Sequence, residues 1–183
     1  MSSITKPFKE LSLAERLKRN KKRPIILADT SSSMNEEVEP DVTKYEAMCN
    51  ILKNLSGSPT VWGFDYDVNP TNINDLSKGR GHGGTHLSPA LRLMKERGLK
   101  EAVVITDGDV NSEDREETLR QAEGILLKVI YVGPANSKPA FIEDLANKSG
   151  GFCDVEDLRQ TEELTGKIQI LIGPGPEDTT IKL

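Results

Sequence analysis

The sequence predicts an α/β fold, a doubly wound and mostly parallel sheet with helices on both faces. Two short apolar runs, residues 24–28 and 102–105, each lead into an aspartate, Asp29 or Asp107. Runs this short are typical of strands buried on both faces, which belong to parallel sheets. Segments with apolar residues at helical spacing separate the runs, and strands that alternate with helices favour a doubly wound sheet.

The other elements follow from the same periodicities. Residues 44–55 carry apolar side chains at helical spacing and stop before Gly57, so they predict a helix that covers the first strand. Residues 60–68 alternate apolar with small or polar side chains and predict one strand, and residues 69–84 predict a polar loop. Further along the chain we expect helices at 88–98, at 112–124, from 139 onward and around 164–171, and strands at 125–132 and 152–155.

The chain divides into three predicted segments. Residues 1–22 form an N-terminal segment with a short basic helix, since Ser12 and Glu15 have the spacing of a capping box. Residues 23–172 form the α/β domain, and residues 173–183, which begin with alternating glycine and proline, form a C-terminal tail. With 36% hydrophobic and 29% charged residues, the 183 residues suit one globular domain with its own core.

Oxygen-bearing side chains stand at the predicted carboxyl edge of the sheet, where open α/β sheets bind ligands. Asp29, Ser31 and Ser33 alternate along the loop after the first strand, and Asp107 follows a second strand. Thr85 lies just after two glycines and before a helix. Two carboxylates and three hydroxyls suit a hard cation, Mg²⁺ or Mn²⁺, rather than zinc or copper, and these five ligands leave one octahedral position open.

The order of these motifs resembles a known family. D-x-S-x-S, then a threonine after glycines, then T-D-G at a strand end, is similar to the metal-ion-dependent adhesion site (MIDAS) of von Willebrand factor A (vWA) domains. A lone D-x-S-x-S is a weak signal, because serine-rich turns are common, but three elements in this order across residues 23–172 are specific. Ser32 departs from the family, which usually has glycine there, and we expect the small serine to do little harm. The alternative, that these are only capping and turn residues, stays open.

The resemblance implies a Rossmann-like vWA fold with Mg²⁺ (or Mn²⁺) as cofactor, bound by Asp29, Ser31, Ser33, Thr85 and Asp107. It also implies a protein partner whose Asp or Glu carboxylate is the last metal ligand. Intracellular members of the family often act within larger assemblies, frequently with ATP-driven chaperone-like or chelatase partners. We therefore expect a standalone binding module and not an enzyme.

Charge and hydropathy limit the partners and the compartment. The formal net charge of −5 argues against non-specific nucleic-acid binding by the whole domain. Apolar stretches are too short to cross a membrane, and residues 1–6 lack the apolar core of a signal peptide, so we expect a cytoplasmic protein without a membrane partner. Cys49 and Cys153 are too few for a disulfide framework and are expected to be buried free thiols.

Two alternatives to the binding module remain. A Mg²⁺-dependent phosphohydrolase also has an aspartate beside the metal at a strand end, but such enzymes need a second acid two residues later, where this chain has Ser31. An RNA or ribonucleoprotein-associated vWA protein would use the basic run from Lys18 to Arg23. That run also suits a solvated helix end, an acidic partner or a membrane surface.

The glycine-rich loop before Thr85 carries a second, weaker motif. Gly79, Gly81 and Gly84 match G-x-G-x-x-G, the dinucleotide fingerprint, but no apolar strand precedes them directly, so we expect no nucleotide cradle. His82 and His86 have the spacing of a metal pair only if this segment is helical, which its glycines oppose. We expect them to be loop histidines that contact a ligand at most.

Overall fold

The computed structural model describes residues 23–133 and 135–173. The predicted basic helix and the C-terminal tail beyond residue 173 lie outside the described residues. Of the basic run only Arg23 is described, and its guanidinium donates hydrogen bonds to the carbonyl oxygens of Gly57 and Gly173, at 3.0 and 2.6 Å. This side chain fastens the start of the domain to the end of its last helix.

A six-stranded sheet forms the middle layer of the domain. Its strands are β1 (Ile25–Asp29), β4 (Val61–Phe64), β5 (Val68–Thr71), β6 (Glu101–Thr106), β7 (Leu126–Tyr131) and β8 (Phe152–Val155). The order across the sheet is β5-β4-β1-β6-β7-β8, and every pair is parallel except β4 with β5. The predicted doubly wound, mostly parallel sheet is confirmed, and β1 and β6 lie side by side at its centre.

Helices cover both faces of the sheet. Successive residues of a strand point to opposite faces, so each central strand contributes side chains to two buried clusters. The helices are α1 (Lys44–Lys53), α2 (Ile73–Leu76), α3 (Ser88–Glu96), α4 (Ser112–Ala122), α5 (Ala140–Ser149) and α6 (Thr161–Ile172), with 3-10 turns at Ser32–Asn35 and Ala135–Ser137. Ile25 and Leu27 of β1 join a buried cluster with residues of α3, α4 and α5. Ile26 and Ala28 of the same strand join a second cluster with residues of α1 and α6.

The prediction of a single strand at residues 60–68 is wrong. The chain reverses between β4 and β5, which form an antiparallel pair. The buried Asp65 carboxylate accepts the backbone N–H of Asp67 at 3.1 Å, and aspartate side chains commonly fix turns in this way. The predicted loop at 69–84 therefore contains strand β5 and helix α2, and Pro70 is tolerated because β5 is an edge strand.

A small hairpin forms in the acidic segment that follows β1, residues 35–43. Strand β2 (Glu37–Glu39) pairs antiparallel with β3 (Val42–Thr43), and Asp41 between them has a positive φ of 62°. Thr43 then begins α1 with a capping box, because its side chain accepts the Glu46 N–H while the Glu46 carboxylate accepts the Thr43 N–H. The Lys44 N–H donates to the Glu36 carbonyl oxygen at 2.9 Å, so the start of α1 lies beside the loop that follows β1.

The cysteine prediction is confirmed in part. Both cysteines are free thiols, but Cys49 is buried whereas Cys153 on β8 is partly exposed. Burial raises the pKa of the Cys49 thiol to about 11. None of the described helices is long and apolar enough to cross a membrane.

Candidate metal site

Asp29 ends β1 at the centre of the sheet's carboxyl edge and is fully buried. Its Oδ1 accepts the Ser31 N–H at 2.9 Å, and its Oδ2 accepts the Thr106 hydroxyl at 2.6 Å. Burial, together with the nearby charge of Asp107, raises the pKa of Asp29 to about 6 despite these hydrogen bonds. None of the described lysines, arginines and histidines forms an ion pair with it.

A chain of hydroxyls connects the loop after Asp29 to Asp107. Ser31 Oγ and Ser33 Oγ are 3.0 Å apart, and Ser33 Oγ donates to Asp107 Oδ1 at 3.1 Å. The 3-10 turn at Ser32–Asn35 brings Ser33 into this position, and its fully buried Met34 anchors the turn in the core. Four of the five predicted site residues are therefore joined within one hydrogen-bonded cluster.

Thr85, the fifth predicted residue, is held in the glycine loop by Asn111. Its backbone N–H donates to Asn111 Oδ1 at 3.1 Å, and its carbonyl oxygen accepts the Asn111 N–H at 3.0 Å. Thr85 is 2% exposed, and its hydroxyl makes no hydrogen bond with the described part of the chain. The other four residues do not contact it through a hydrogen bond, so the structure leaves its oxygen available to a ligand.

The glycine loop is tied closely to the loop that follows β1. The Gly83 carbonyl oxygen accepts both the Ser32 N–H at 3.1 Å and the Ser32 hydroxyl at 2.8 Å. The Asn35 side chain accepts the Gly81 N–H at 3.0 Å and donates to the Gly81 carbonyl oxygen at 2.6 Å. A Cβ on Gly81 would lie 2.2 Å from the Ser31 carbonyl oxygen, so this close approach requires glycine. Ser32, the departure from the family pattern, thus contributes a bond between the loops.

Lys44 is the residue that sequence reasoning missed. It is 9% exposed, and its Nζ donates to Asp107 Oδ2 at 3.0 Å and to Glu36 Oε2 at 2.5 Å. Burial acts to lower the Lys44 pKa, but the hydrogen bonds and charges of Glu36 and Asp107 outweigh it and raise that pKa above its ordinary value. No local pattern indicated this pairing, because Lys44 and Asp107 lie 63 positions apart in the chain.

The two histidines lie in the glycine loop, outside any helix. His82 is mostly exposed, and its Nδ1 is 3.0 Å from Oδ2 of the buried Asp65. His86 packs edge-on against Tyr66, and its buried Nε2 has no hydrogen-bond partner among the residues that the structure describes.

The donor set fits a hard divalent cation better than a transition metal. Within residues 23–133 and 135–173, no three His, Cys, Asp or Glu side chains gather so as to hold a metal ion. The candidate set instead has two carboxylates and three hydroxyls, which is the chemistry of Mg²⁺ or Mn²⁺. The unused Thr85 hydroxyl and the unpaired Asp29 are the two features that such an ion would satisfy.

A known structure shares the fold of this chain. The chain is similar to the crystal structure of an aerotolerance-related membrane protein from Bacteroides fragilis with multiple mutations to serines, with a TM-score of 0.61 and 16% identity over 81% of this chain and 96% of that chain. The human COPII-coat protein Sec24c has a TM-score of 0.45 and 10% identity over 82% of this chain and 32% of that chain. No family model and no curated protein matches the sequence. The chain has a vWA-like fold, as the resemblance implied.

Proposed function

We propose that the chain is a vWA-type binding module that holds Mg²⁺ or Mn²⁺ through Asp29, Ser31, Ser33, Thr85 and Asp107. The bound ion captures an acidic group of a protein partner, and the role of the module is binding rather than catalysis. Asp29 carries the proposal, because it is a fully buried carboxylate that lacks a cationic partner among the described residues. A buried, unpaired anion is costly, and a bound cation removes that cost.

The charge of the site favours a carboxylate as the outside ligand. Two carboxylates roughly balance a dication, and hydroxyls are neutral ligands, so the ion keeps an attraction for one more acid. The chain's own part is to hold the ligands in place. The Ser31 N–H and the Thr106 hydroxyl fix the two oxygens of Asp29, and Asn111 fixes the backbone of Thr85.

Thermal unfolding in chelator and in added Mg²⁺, Mn²⁺ or Ca²⁺ tests the metal site. For a dissociation constant of about 1 mM, 10 mM metal stabilises the fold by about 1.4 kcal/mol, a rise in Tm of roughly 3 to 6 °C. Asp29→Asn keeps the shape of the side chain and should abolish this rise. Asp144→Asn, at an exposed carboxylate of α5, is the matched control and should keep it. The proposal is contradicted if none of the three metals changes the Tm of the wild type, or if the Tm of Asp29→Asn rises as much as that of the wild type.

Acetate serves as a probe for the acidic ligand. Replacing chloride by acetate at constant ionic strength should raise the Tm of the wild type in Mg²⁺ but not in chelator, because the carboxylate binds the metal and not the protein alone. Methylammonium chloride at the same ionic strength is a cationic control that should give no rise. An equal effect of acetate with and without Mg²⁺ would contradict capture through the ion.

A further inference from the structure

Lys44 stands between the candidate metal site and the surface hairpin. It is the first residue of α1, and its side chain is 11% exposed. The ammonium group donates to Asp107 Oδ2 at 3.0 Å and to Glu36 Oε2 at 2.5 Å, and the Glu36 side chain is 69% exposed. Asp107, at 5% side-chain exposure, is thus the buried partner of this lysine.

The two oxygens of the Asp107 carboxylate have different partners. Oδ1 accepts the Ser33 hydroxyl and so belongs to the cluster that includes Asp29, whereas Oδ2 accepts the Lys44 ammonium. One carboxylate therefore links the proposed ion site to a fixed positive charge of the chain. The position of this charge at the start of α1 is unfavourable to the helix dipole, so its two acidic partners must account for it.

We infer that Lys44 is the fixed cation that offsets the charge of Asp107 in the metal-free protein, through the carboxylate oxygen that the Ser33 hydroxyl does not use. It holds Asp107 in the orientation of the site and offsets the charge of that carboxylate, while Asp29 has no cationic partner among the described residues. When the ion enters, the same positive charge opposes it. The inference rests on the proposed metal site and adds that Lys44 makes the fold less dependent on metal.

The test is the Tm of Lys44→Met in chelator and in Mg²⁺, beside the wild type. Methionine preserves the length and packing of the side chain but removes the charge. In chelator the Tm should fall by roughly 5 °C or more, because Asp107 is left buried without its cation. In Mg²⁺ the metal-dependent rise should become about twice that of the wild type, as follows from an affinity that is about tenfold higher once the opposing charge is gone.

Two control variants separate this role from ordinary structural support. Lys128 is similarly buried, at 16% side-chain exposure, and its Nζ pairs with Glu101 and donates to the Leu171 carbonyl oxygen at 3.0 Å, away from the candidate site. Lys128→Met should lower the Tm equally in chelator and in Mg²⁺. Lys44→Arg keeps the charge and should keep the wild-type response to metal.

Each outcome has a distinct meaning. A rise in Mg²⁺ that is no larger in Lys44→Met than in the wild type overturns the inference and leaves the proposed metal site standing. The absence of any rise in either protein means that the metal site itself has failed, and the inference with it. If Lys44→Met does not fold in either condition, Lys44→Gln, which keeps a hydrogen-bond donor for Asp107 but no charge, is judged by the same comparison.

Discussion

Asp29, at the end of β1, and Asp107, just after the neighbouring parallel strand β6, lie at the same edge of the sheet, but their carboxylates have different partners. Asp29 is fully buried, and its oxygens accept hydrogen bonds from a backbone N–H and from the hydroxyl of Thr106. Asp107 is 8% exposed and pairs with the ammonium of Lys44. The Asp107 carboxylate therefore has a positively charged partner, whereas the Asp29 carboxylate has only neutral hydrogen-bond donors among the described residues.

Under the proposed function, Asp29 is the carboxylate that gains most from a bound cation. Dipoles offset part of the cost of burying a carboxylate, but an ion pair offsets more. Burial without a cationic partner is the main reason that the pKa of Asp29 is raised to about 6. In the proposed module, Lys44 already pairs with Asp107, whereas the charge of Asp29 is left for the metal ion.

The largest effect that we predict from this contrast is a pH dependence of the metal-free protein. Asp29 has a higher pKa in the folded state, about 6, than its ordinary value of 3.8, so the folded state binds its proton more tightly. The contribution of Asp29 to the free energy of unfolding should therefore fall by about 2 kcal/mol as pH rises from 3.8 to about 6, out of about 3 kcal/mol over its whole titration. Urea unfolding in metal-free buffers across this range measures it.

Asp29→Asn isolates the contribution of Asp29 to this slope. Exposed carboxylates whose pKa is lowered by hydrogen bonds, such as Asp75 and Glu117, give the opposite slope at acid pH, and they remain in the variant. The free energy of unfolding of the wild type minus that of the variant should fall as pH rises in metal-free buffer. In Mg²⁺ the same difference should instead rise with pH, because the ion binds the ionised carboxylate. A flat difference in metal-free buffer would mean that Asp29 is ionised at little cost.

The second prediction is that the same isosteric change has opposite signs at the two aspartates. In chelator at neutral pH, Asp29→Asn should stabilise the fold by about 1 to 3 kcal/mol, since it removes a buried, unpaired charge. Asp107→Asn should destabilise it by about 1 to 2 kcal/mol, since Lys44 keeps only the exposed Glu36 as a charged partner. Equilibrium unfolding of both variants gives the comparison, and two changes of the same sign would refute the contrast.

Much of the central sheet could be predicted because its strands are simple in sequence. The runs that became β1 and β6 are apolar without interruption, since a central parallel strand is covered on both faces, and each run ends at the edge where ligands bind. The positions of Asp29 and Asp107 could therefore be predicted together with those strands. Ser31 and Ser33 followed from their alternation, which the 3-10 turn at Ser32–Asn35 folds back toward Asp107.

The features that were missed depend on contacts between distant residues. The reversal after Phe64 depends on the Asp65 side chain bonding to the Asp67 N–H, while the local alternation of residues 60–68 continues through the turn and favours one strand. The pairing of Lys44 with Asp107 joins residues 63 positions apart, and an isolated lysine looks like a solvated charge. The pairing of these two charges is fixed by the position of the start of α1 near the end of β6 in the folded chain and not by local pattern.

The smallest effect concerns Thr85, the site residue without a hydrogen bond from its hydroxyl in the described chain. In chelator, Thr85→Val should change the free energy of unfolding by less than about 0.5 kcal/mol, because the isosteric change breaks no bond. Ser33→Ala, by comparison, removes bonds to Ser31 and Asp107 and should cost about 1 kcal/mol.

Thr85→Val should have a larger effect on the affinity for metal than on the stability of the metal-free protein. The variant loses a proposed ligand oxygen that makes no hydrogen bond in the metal-free fold. Isothermal titration with Mn²⁺ measures the affinity, and we expect Thr85→Val to weaken it by about tenfold, in the range found when one partner of a metal site is removed. Unchanged affinity in Thr85→Val would exclude its hydroxyl as a ligand. A large loss of stability in chelator would show instead that the hydroxyl supports the metal-free fold, and Asp29 would then be the single residue of the site held in wait for the ion.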